Sequence, residues 1–192
     1  ESFFNELKPY LKNLEFAHFV GGEPFMIDVY YKIWNYISKE NPTCHINIQT
    51  NGTILNNKIT QLISLPKVSV VMSIDSVNPS TYETIRKGAK FDDVLSNFKT
   101  INKIMQDKGI NMQISVCPIT LNANEIPELV DFANKEQCTI FFNYTFFPNY
   151  LSLKNLAHTK LQALTQLYKT NLENLTQNNN IEKNNADALL GL

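Results

Sequence analysis

Apolar residues recur along this chain with two alternating periods, and the alternation outlines a strand–helix repeat. Phe3, Phe4, Leu7 and Leu11 stand at helical spacing over Glu1 to Lys12. The apolar run Leu14 to Val20 predicts a strand, and Met26, Tyr30, Ile33 and Ile37 place a helix over 25–39. A strand follows at His45 to Gln49, a short helix over 56–64 and a strand over 67–74. Two helices come next: one over 79–86, capped by Asn78 or Ser76, and one over 91–108. In the second, Phe91, Val94, Phe98, Ile101 and Met105 are in phase, and Gly109 is its C-terminal stop. Strands over 111–119 and 139–147 flank a helix over 126–135. Five strands with helical crossovers imply an α/β protein with a parallel sheet, open or rolled into a barrel.

The strands do not read as continuous apolar runs, the usual sign of parallel strands buried on both faces. Ile46 and Ile48 alternate with Asn47 and Gln49, and Val68, Val70, Met72 and Ile74 with Ser69, Ser73 and Asp75. Met112, Ile114 and Val116 alternate with Gln113, Ser115 and Cys117, and Phe142, Tyr144 and Phe146 with Asn143 and Thr145. The apolar set must face the helices, so the polar set lines the other face. That predicts a wet concave lumen with a ligand in it, against the alternative of a flat sheet with one solvated face.

Polar chemistry collects where strands end. Gly21-Gly22-Glu23-Pro24 closes the first strand and opens a helix, a bare loop that lets a ligand come close to backbone. Thr50-Asn51-Gly52-Thr53, Ser73-Ile74-Asp75-Ser76 and Asn122 follow in the same register. Strand ends and helix starts at the carboxyl edge of a parallel sheet form ligand cradles.

Composition narrows the classes. A net charge of −1 excludes a strongly basic nucleic-acid surface, and no apolar run is long enough to cross a membrane. Cys44, Cys117 and Cys138 are odd in number and far apart, which argues against a disulfide framework and for a reducing, cytoplasmic setting. Each is expected as a small buried residue. His18 is expected as a hydrogen-bonded core residue inside its strand. His45 and His158 sit at element starts without a partner at metal spacing. The aromatic stretch Phe141 to Tyr150 can be read as a base-stacking platform, but a core strand is the better expectation, given the missing basic patch.

Taken together, GGEP, TNGT, SIDS followed by Tyr82 to Arg86, and a fifth strand ending near Asn122 with Ile126-Pro-Glu-Leu resemble the radical S-adenosylmethionine (SAM) superfamily. The resemblance covers about residues 1 to 147 and is closest to SPASM- or twitch-bearing, peptide- or sulfatase-maturing members. It implies a partial (β/α)6 TIM-like barrel with strands two to six present and the first missing, plus a C-terminal helix. It also implies a [4Fe–4S] cluster and SAM at the strand ends, with a 5′-deoxyadenosyl radical abstracting hydrogen from substrate. The family's CxxxCxxC cluster motif does not occur in this chain, so cluster and radical chemistry are not expected of these residues alone. The chain is either cut short or a degenerate relative.

The resemblance also assigns roles. Gly21, Gly22 and Glu23 match the segment that receives the SAM amino group, although Glu23 could equally cap the next helix. Thr50 and Asn51 match a polar turn near the methionine part, or form a turn with positive φ at Asn51-Gly52. Ser73 and Asp75 match the position that meets the SAM carboxylate or ribose hydroxyls, or cap the next turn. Arg86, the only arginine, matches a carboxylate clamp, or is a surface residue at a helix end. With no ligand its charge is expected in solvent. Asn122 matches a residue near adenosine, or is a plain loop residue beside Asn124-Glu125, a candidate cap pair.

The organisation expected is a barrel over 1–150 and a tail over 151–192, the tail being an amphipathic helix over 154–176, a mobile polar linker over 177–185 and an apolar end leading to a further extension. A core fragment of an enzyme modifying a peptide or protein is the leading reading, with a small-molecule substrate also open. The alternative is a non-catalytic barrel that binds a peptide or partner. Phe16, Phe19 and Val20 on the exposed first strand also favour self-association.

Overall fold

The structure is a computed structural model that describes Ser2–Leu192; the Glu1 start of the first predicted helix lies outside the described residues. The protein is an α/β chain with five parallel strands. Its elements are α1 (Ser2–Leu11), β1 (Phe16–Phe19), α2 (Asp28–Glu40), β2 (His45–Thr50), α3 (Asn57–Ile63), β3 (Val68–Ser73) and α4 (Pro79–Ile85). They continue with α5 (Phe91–Asp107), β4 (Gln113–Val116), α6 (Ile126–Lys135), β5 (Thr139–Phe142), α7 (His158–Asn174) and α8 (Asn180–Leu190). The chain divides into two compact units, one running to Met72 and resuming over Ser96–Met112, the other Ser73–Leu95 with Gln113–Leu192.

In the first unit β1, β2 and β3 pair in parallel, with Ala17 beside Ile46 and Ile48 beside Val70. Trp34 of α2 is fully buried, ringed by Phe19, Phe25, Tyr30 and Tyr31 with centroids 4.9–5.9 Å away. Offset and edge-on rings of this kind add to the area they bury. Asn41 Nδ2 donates to Leu11 O and Leu14 O, tying the end of α2 to the end of α1. Lys108 Nζ donates to Ile63 O and Val68 O, joining the C-terminus of α3 to the start of β3.

In the second unit β4 and β5 pair in parallel, with Ile114 beside Ile140. Helices α6 and α8 pack on β5 and α7 packs on both, with Leu129, Val130, Ile140, Leu164, Tyr168 and Leu189 buried. Tyr168 donates its hydroxyl to Ala123 O at 2.7 Å, and burial pushes its pKa up to about 12.

Several expectations change. The helix placed over 25–39 starts with a separate 3₁₀ turn at Pro24–Met26. Ile27 is extended and α2 begins only at Asp28, so Met26 is exposed rather than on the buried stripe. The strand over 139–147 stops at Phe142. Asn143 N–H still reaches Val116 O at 2.8 Å, but β4 ends there and Pro118 has no N–H for a ladder. The following aromatics leave the sheet, so a core strand through Tyr150 is wrong. The polar stretch 177–185 is not a linker. Asn179 accepts from Glu182 N–H as an N-cap, and α8 follows.

Asn185, fully buried, shows why that helix docks. Its Oδ1 accepts Ile140 N–H at 2.8 Å and its Nδ2 donates to Cys138 O at 2.9 Å. Those are the two groups that a parallel neighbour opposite Thr139 would engage. His18 is exposed against Phe16, not a core residue, because β1 presents that face to solvent. Phe19 turns into the Trp34 cluster, leaving Phe16 and Val20 as the exposed apolar residues of that strand. The expected polar faces are largely self-satisfied. Asn47 Nδ2 donates to Ser69 Oγ and Asn143 Nδ2 to Ser115 Oγ, both at 2.8 Å. Among the described residues no helix is long and apolar enough to cross a membrane.

Candidate functional site

The residues singled out from the sequence fall into two clusters, one in each unit. In the first unit the backbone leaves β1 through Gly21 at φ +92° and Gly22 at φ +54°. Both angles lie in the region costly for a residue with a Cβ. A Cβ at either position would meet nothing within 4 Å, so the glycines answer to backbone conformation, not to crowding, and their loop is open.

Glu23 comes next, and its buried carboxylate organises the cluster. Oε1 accepts Phe25 N–H at 3.2 Å and the Thr50 hydroxyl at 2.8 Å, while Oε2 accepts Asn51 N–H at 2.8 Å. Capping the turn and binding the Thr50-Asn51 loop are thus done by one side chain. The Thr50 Oγ1 accepts Gly52 N–H at 3.1 Å, and Asn51 Oδ1 accepts from Thr53 N–H and Thr53 Oγ1. Positive φ falls on Gly52 at +72°, not on Asn51. A Cβ on Gly52 would lie 2.0 Å from Met72 Cε, and Asn97 Nδ2 donates to Gly52 O at 2.9 Å. The carboxylate of Glu23 keeps acceptor capacity on Oε2, since each oxygen carries two lone pairs.

In the second unit Asp75 holds the equivalent place. Its carboxylate is 5% exposed and pairs through Oδ2 with Arg86, Nε at 2.8 Å and a terminal nitrogen at 2.7 Å. Asp75 Oδ1 accepts Cys117 N–H at 2.8 Å. Arg86 ends α4 with its N–H on Tyr82 O, and its side chain is 25% exposed. Its charge is therefore paired with a buried carboxylate and not simply solvated, contrary to expectation. The Asn122 side chain is wholly engaged: Nδ2 donates to Asp75 O and Cys117 O, and Oδ1 accepts Ile119 N–H. Ser73 is buried at the end of β3.

Three residues that carried no ligand role in the sequence reading also take part. Glu125 makes no cap bond with its own helix. Its carboxylate instead accepts the hydroxyls of Ser76 and Thr81, the latter at 2.6 Å, binding the Asp75 turn to the start of α6. Tyr82 has a fully buried hydroxyl with no partner among the described residues. Burial raises its pKa, with Arg86 lowering and Asp75 raising it further. The Cys117 thiol is half-buried, not fully buried as expected, and is pushed up by burial and by Asp75. Only the spacing Ser76-Asn78-Thr81 hinted at this network, and it reads as an ordinary helix cap.

The residues present do not fit an iron–sulfur cluster. Cys44 and Cys138 are buried, burial pushes the Cys138 thiol up to about 12, and no group of three His, Cys, Asp or Glu converges among the described residues. Cluster ligands must be thiolates that meet at one place. The ammonium of a ligand such as SAM suits the donor set of the first unit, a buried Glu23 carboxylate next in sequence to an open glycine turn.

Comparison with known proteins bears on these clusters. The sequence model of the Radical SAM superfamily matches residues 1–133. A probable GTP 3′,8-cyclase of Methanocaldococcus jannaschii is 27% identical over 112 residues, 58% of this chain and 36% of its own. An uncharacterised protein of the same organism is 30% identical over 129 residues, 64% of this chain and 43% of its own. The chain thus spans less than half the length of these curated relatives. Among solved structures, anSMEcpe with bound AdoMet superposes with a TM-score of 0.60 at 16% identity, covering 90% of this chain and 46% of that one. A domain of pyruvate-formate lyase-activating enzyme from Bacteroides vulgatus gives 0.57 at 12% identity, covering 81% and 93%. At such identities the likeness is one of fold, the partial TIM barrel.

Proposed function

Because the chain belongs to the Radical SAM superfamily, we propose that it is the SAM-holding part of a radical SAM enzyme whose substrate is a peptide or protein. The observation that carries this is the Glu23 carboxylate, buried, next in sequence to the Gly21-Gly22 turn, and bonded to Thr50 and Asn51. In this reading the free acceptor capacity of Glu23 Oε2, with carbonyls of the Gly21-Gly22 turn, receives the SAM ammonium. Thr50 holds the carboxylate of Glu23 in place, and Asn51 lies against the methionine part. In the second unit, taken by itself, Ser73 and the Asp75–Arg86 pair form a polar cluster whose guanidinium and hydroxyl suit a carboxylate or ribose hydroxyls. Asn122, with every polar atom engaged, acts there by fixing the Asp75 and Cys117 backbones.

In this superfamily SAM and a [4Fe–4S] cluster supply hydrogen-abstracting radical chemistry. No step through the cluster is assigned to the residues of this chain. Cys44, Cys117 and Cys138 are not joined in disulfides among the described residues, which favours a reducing, cytoplasmic setting. The names of the curated relatives favour a second reading, in which the substrate is a small molecule such as a nucleotide.

The test is a titration of ¹⁵N-labelled chain with SAM and, separately, with 5′-methylthioadenosine, which lacks the amino-acid part. SAM is expected to shift the amides of Gly21, Gly22 and Asn51 with an affinity in the high micromolar range or weaker, about 5 kcal/mol. Methylthioadenosine is expected to leave those amides in place. Equal shifts with both ligands, or none with SAM, overturn the assignment of Glu23.

A further inference from the structure

Tyr82 stands in the middle of α4, and its hydroxyl is the anomaly of the second unit. The side chain is fully buried, and the hydroxyl has no hydrogen-bond partner among the described residues. A buried donor left without an acceptor is unfavourable, because its desolvation is not repaid by a bond. Packing does not require it. The ring lies 5.3 Å from that of Phe91, centroid to centroid, a contact that a phenylalanine would make as well. Such a group calls for a partner that arrives in another state of the protein.

Its surroundings say which partner. Arg86 follows four residues later as the cap of α4, with its N–H on Tyr82 O at 2.8 Å. The side chain of Arg86 reaches Asp75, and the fields of both act on the Tyr82 hydroxyl, Arg86 lowering its pKa and Asp75 raising it. The Asp75 carboxylate is the natural acceptor, but its Oδ2 is filled. That oxygen takes Arg86 Nε at 2.8 Å and a terminal nitrogen at 2.7 Å, one for each lone pair, while Oδ1 takes Cys117 N–H. All of these groups belong to the second unit.

The pair is also unequally buried. The Asp75 side chain is 5% exposed and that of Arg86 25%, so a ligand arriving from solvent meets the guanidinium first. A ligand that draws the two nitrogens away leaves Asp75 with a buried charge and a bare Oδ2, and that penalty opposes binding. A buried donor held in reserve lowers the penalty.

We propose that Tyr82 is a positioning residue: its hydroxyl takes over Asp75 Oδ2 when a ligand carboxylate draws the Arg86 guanidinium away. The guanidinium can then turn to the ligand without leaving Asp75 unpaired, and Tyr82 acts through Asp75 without touching the ligand. This rests on reading the Asp75–Arg86 cluster as a place for a carboxylate, that of SAM in the function proposed above.

The test is a thermal-unfolding cycle on the whole chain: parent, Tyr82→Phe, Arg86→Ala and the double variant. Tyr82→Phe keeps the ring and should leave the melting temperature of the parent within about 1 °C, or raise it. In the Arg86→Ala background the same change should lower it by about 3–6 °C, because there the hydroxyl holds Asp75. Arg86→Met serves if Arg86→Ala does not fold. Additive effects overturn the inference. So does a loss for Tyr82→Phe in the parent, which would show that a water already holds the hydroxyl. The ligand arm reads the Nε–H of Arg86, which gives a single ¹H–¹⁵N signal because Arg86 is the only arginine. SAM should shift that signal, and 5′-methylthioadenosine, which has no carboxylate, should leave it in place. Tyr82→Phe should weaken the SAM response about tenfold. Equal responses of parent and Tyr82→Phe overturn the positioning role. An Arg86 signal unmoved by SAM, beside a coupled unfolding cycle, refutes the carboxylate reading of the cluster and leaves the Tyr82–Asp75 exchange standing, so the two fail separately.

Discussion

Arg86→Ala separates a residue held by the fold from one that merely decorates a helix end. Arg86 gives two nitrogens to Asp75 Oδ2 at 2.7 and 2.8 Å, and Asp75 is almost fully enclosed. Removing the guanidinium leaves a buried carboxylate whose remaining side-chain partner is Cys117 N–H. Breaking a fully buried pair costs about 3–5 kcal/mol, mostly the penalty of the orphaned charge. A quarter of the Arg86 side chain reaches water, which can refill part of the gap, so the expected loss is about 2 kcal/mol. For a chain of this length that lowers the melting temperature by about 4–8 °C. The assay is urea and thermal unfolding of the parent, Arg86→Ala, Asp75→Asn and the double variant. The double variant should lose less than the two single losses added, since the charge that Arg86 neutralises is then gone. A loss below about 0.5 kcal/mol for Arg86→Ala, the level of an ordinary surface change, would refute the reasoning and return Arg86 to the solvent.

Two further predictions follow from buried polar groups. Burial lowers the Lys108 pKa from 10.5 to about 8 in the folded protein, so between these values the unfolded chain binds the extra proton. Stability from this group therefore rises as pH increases from about 8 towards 10.5. Unfolding measured across that window should show the rise in the parent and not in Lys108→Met; a flat or falling parent profile contradicts it. Asn185→Leu should strip Ile140 N–H and Cys138 O of their partners and destabilise the protein by about 2 kcal/mol. Hydrogen exchange at Ile140 should accelerate; unchanged exchange would show that α8 does not guard the β5 edge.

Much of the fold was legible because its signals are local. Ile33 with Ile37, and Val94, Phe98, Ile101 and Met105, recur at helical spacing and are buried, and the cap at Asn78 and the stop at Gly109 lie beside the elements they bound. The edges of β5 and α8 were not legible. Whether Tyr144 continues a strand depends on β4 reaching far enough to pair with it, and β4 ends at Val116. Whether an Asn-rich stretch is linker or helix depends on Asn185 finding the edge of a strand 45 residues away.

The same division runs through the candidate site. The amino-acid order alone determined the strand–helix alternation, the bare glycine loop after β1 and the family that GGEP, TNGT and SIDS resemble, since each rests on residues adjacent in the chain. Only tertiary structure decided that Glu23 bonds Thr50 and Asn51, that Arg86 neutralises Asp75, that Glu125 rather than a local cap holds Ser76 and Thr81, and that the aromatics after β5 are exposed. The physical reason is that a carboxylate's partner is whichever donor folding brings within about 3 Å. Sequence spacing carries that information only when donor and acceptor share a turn.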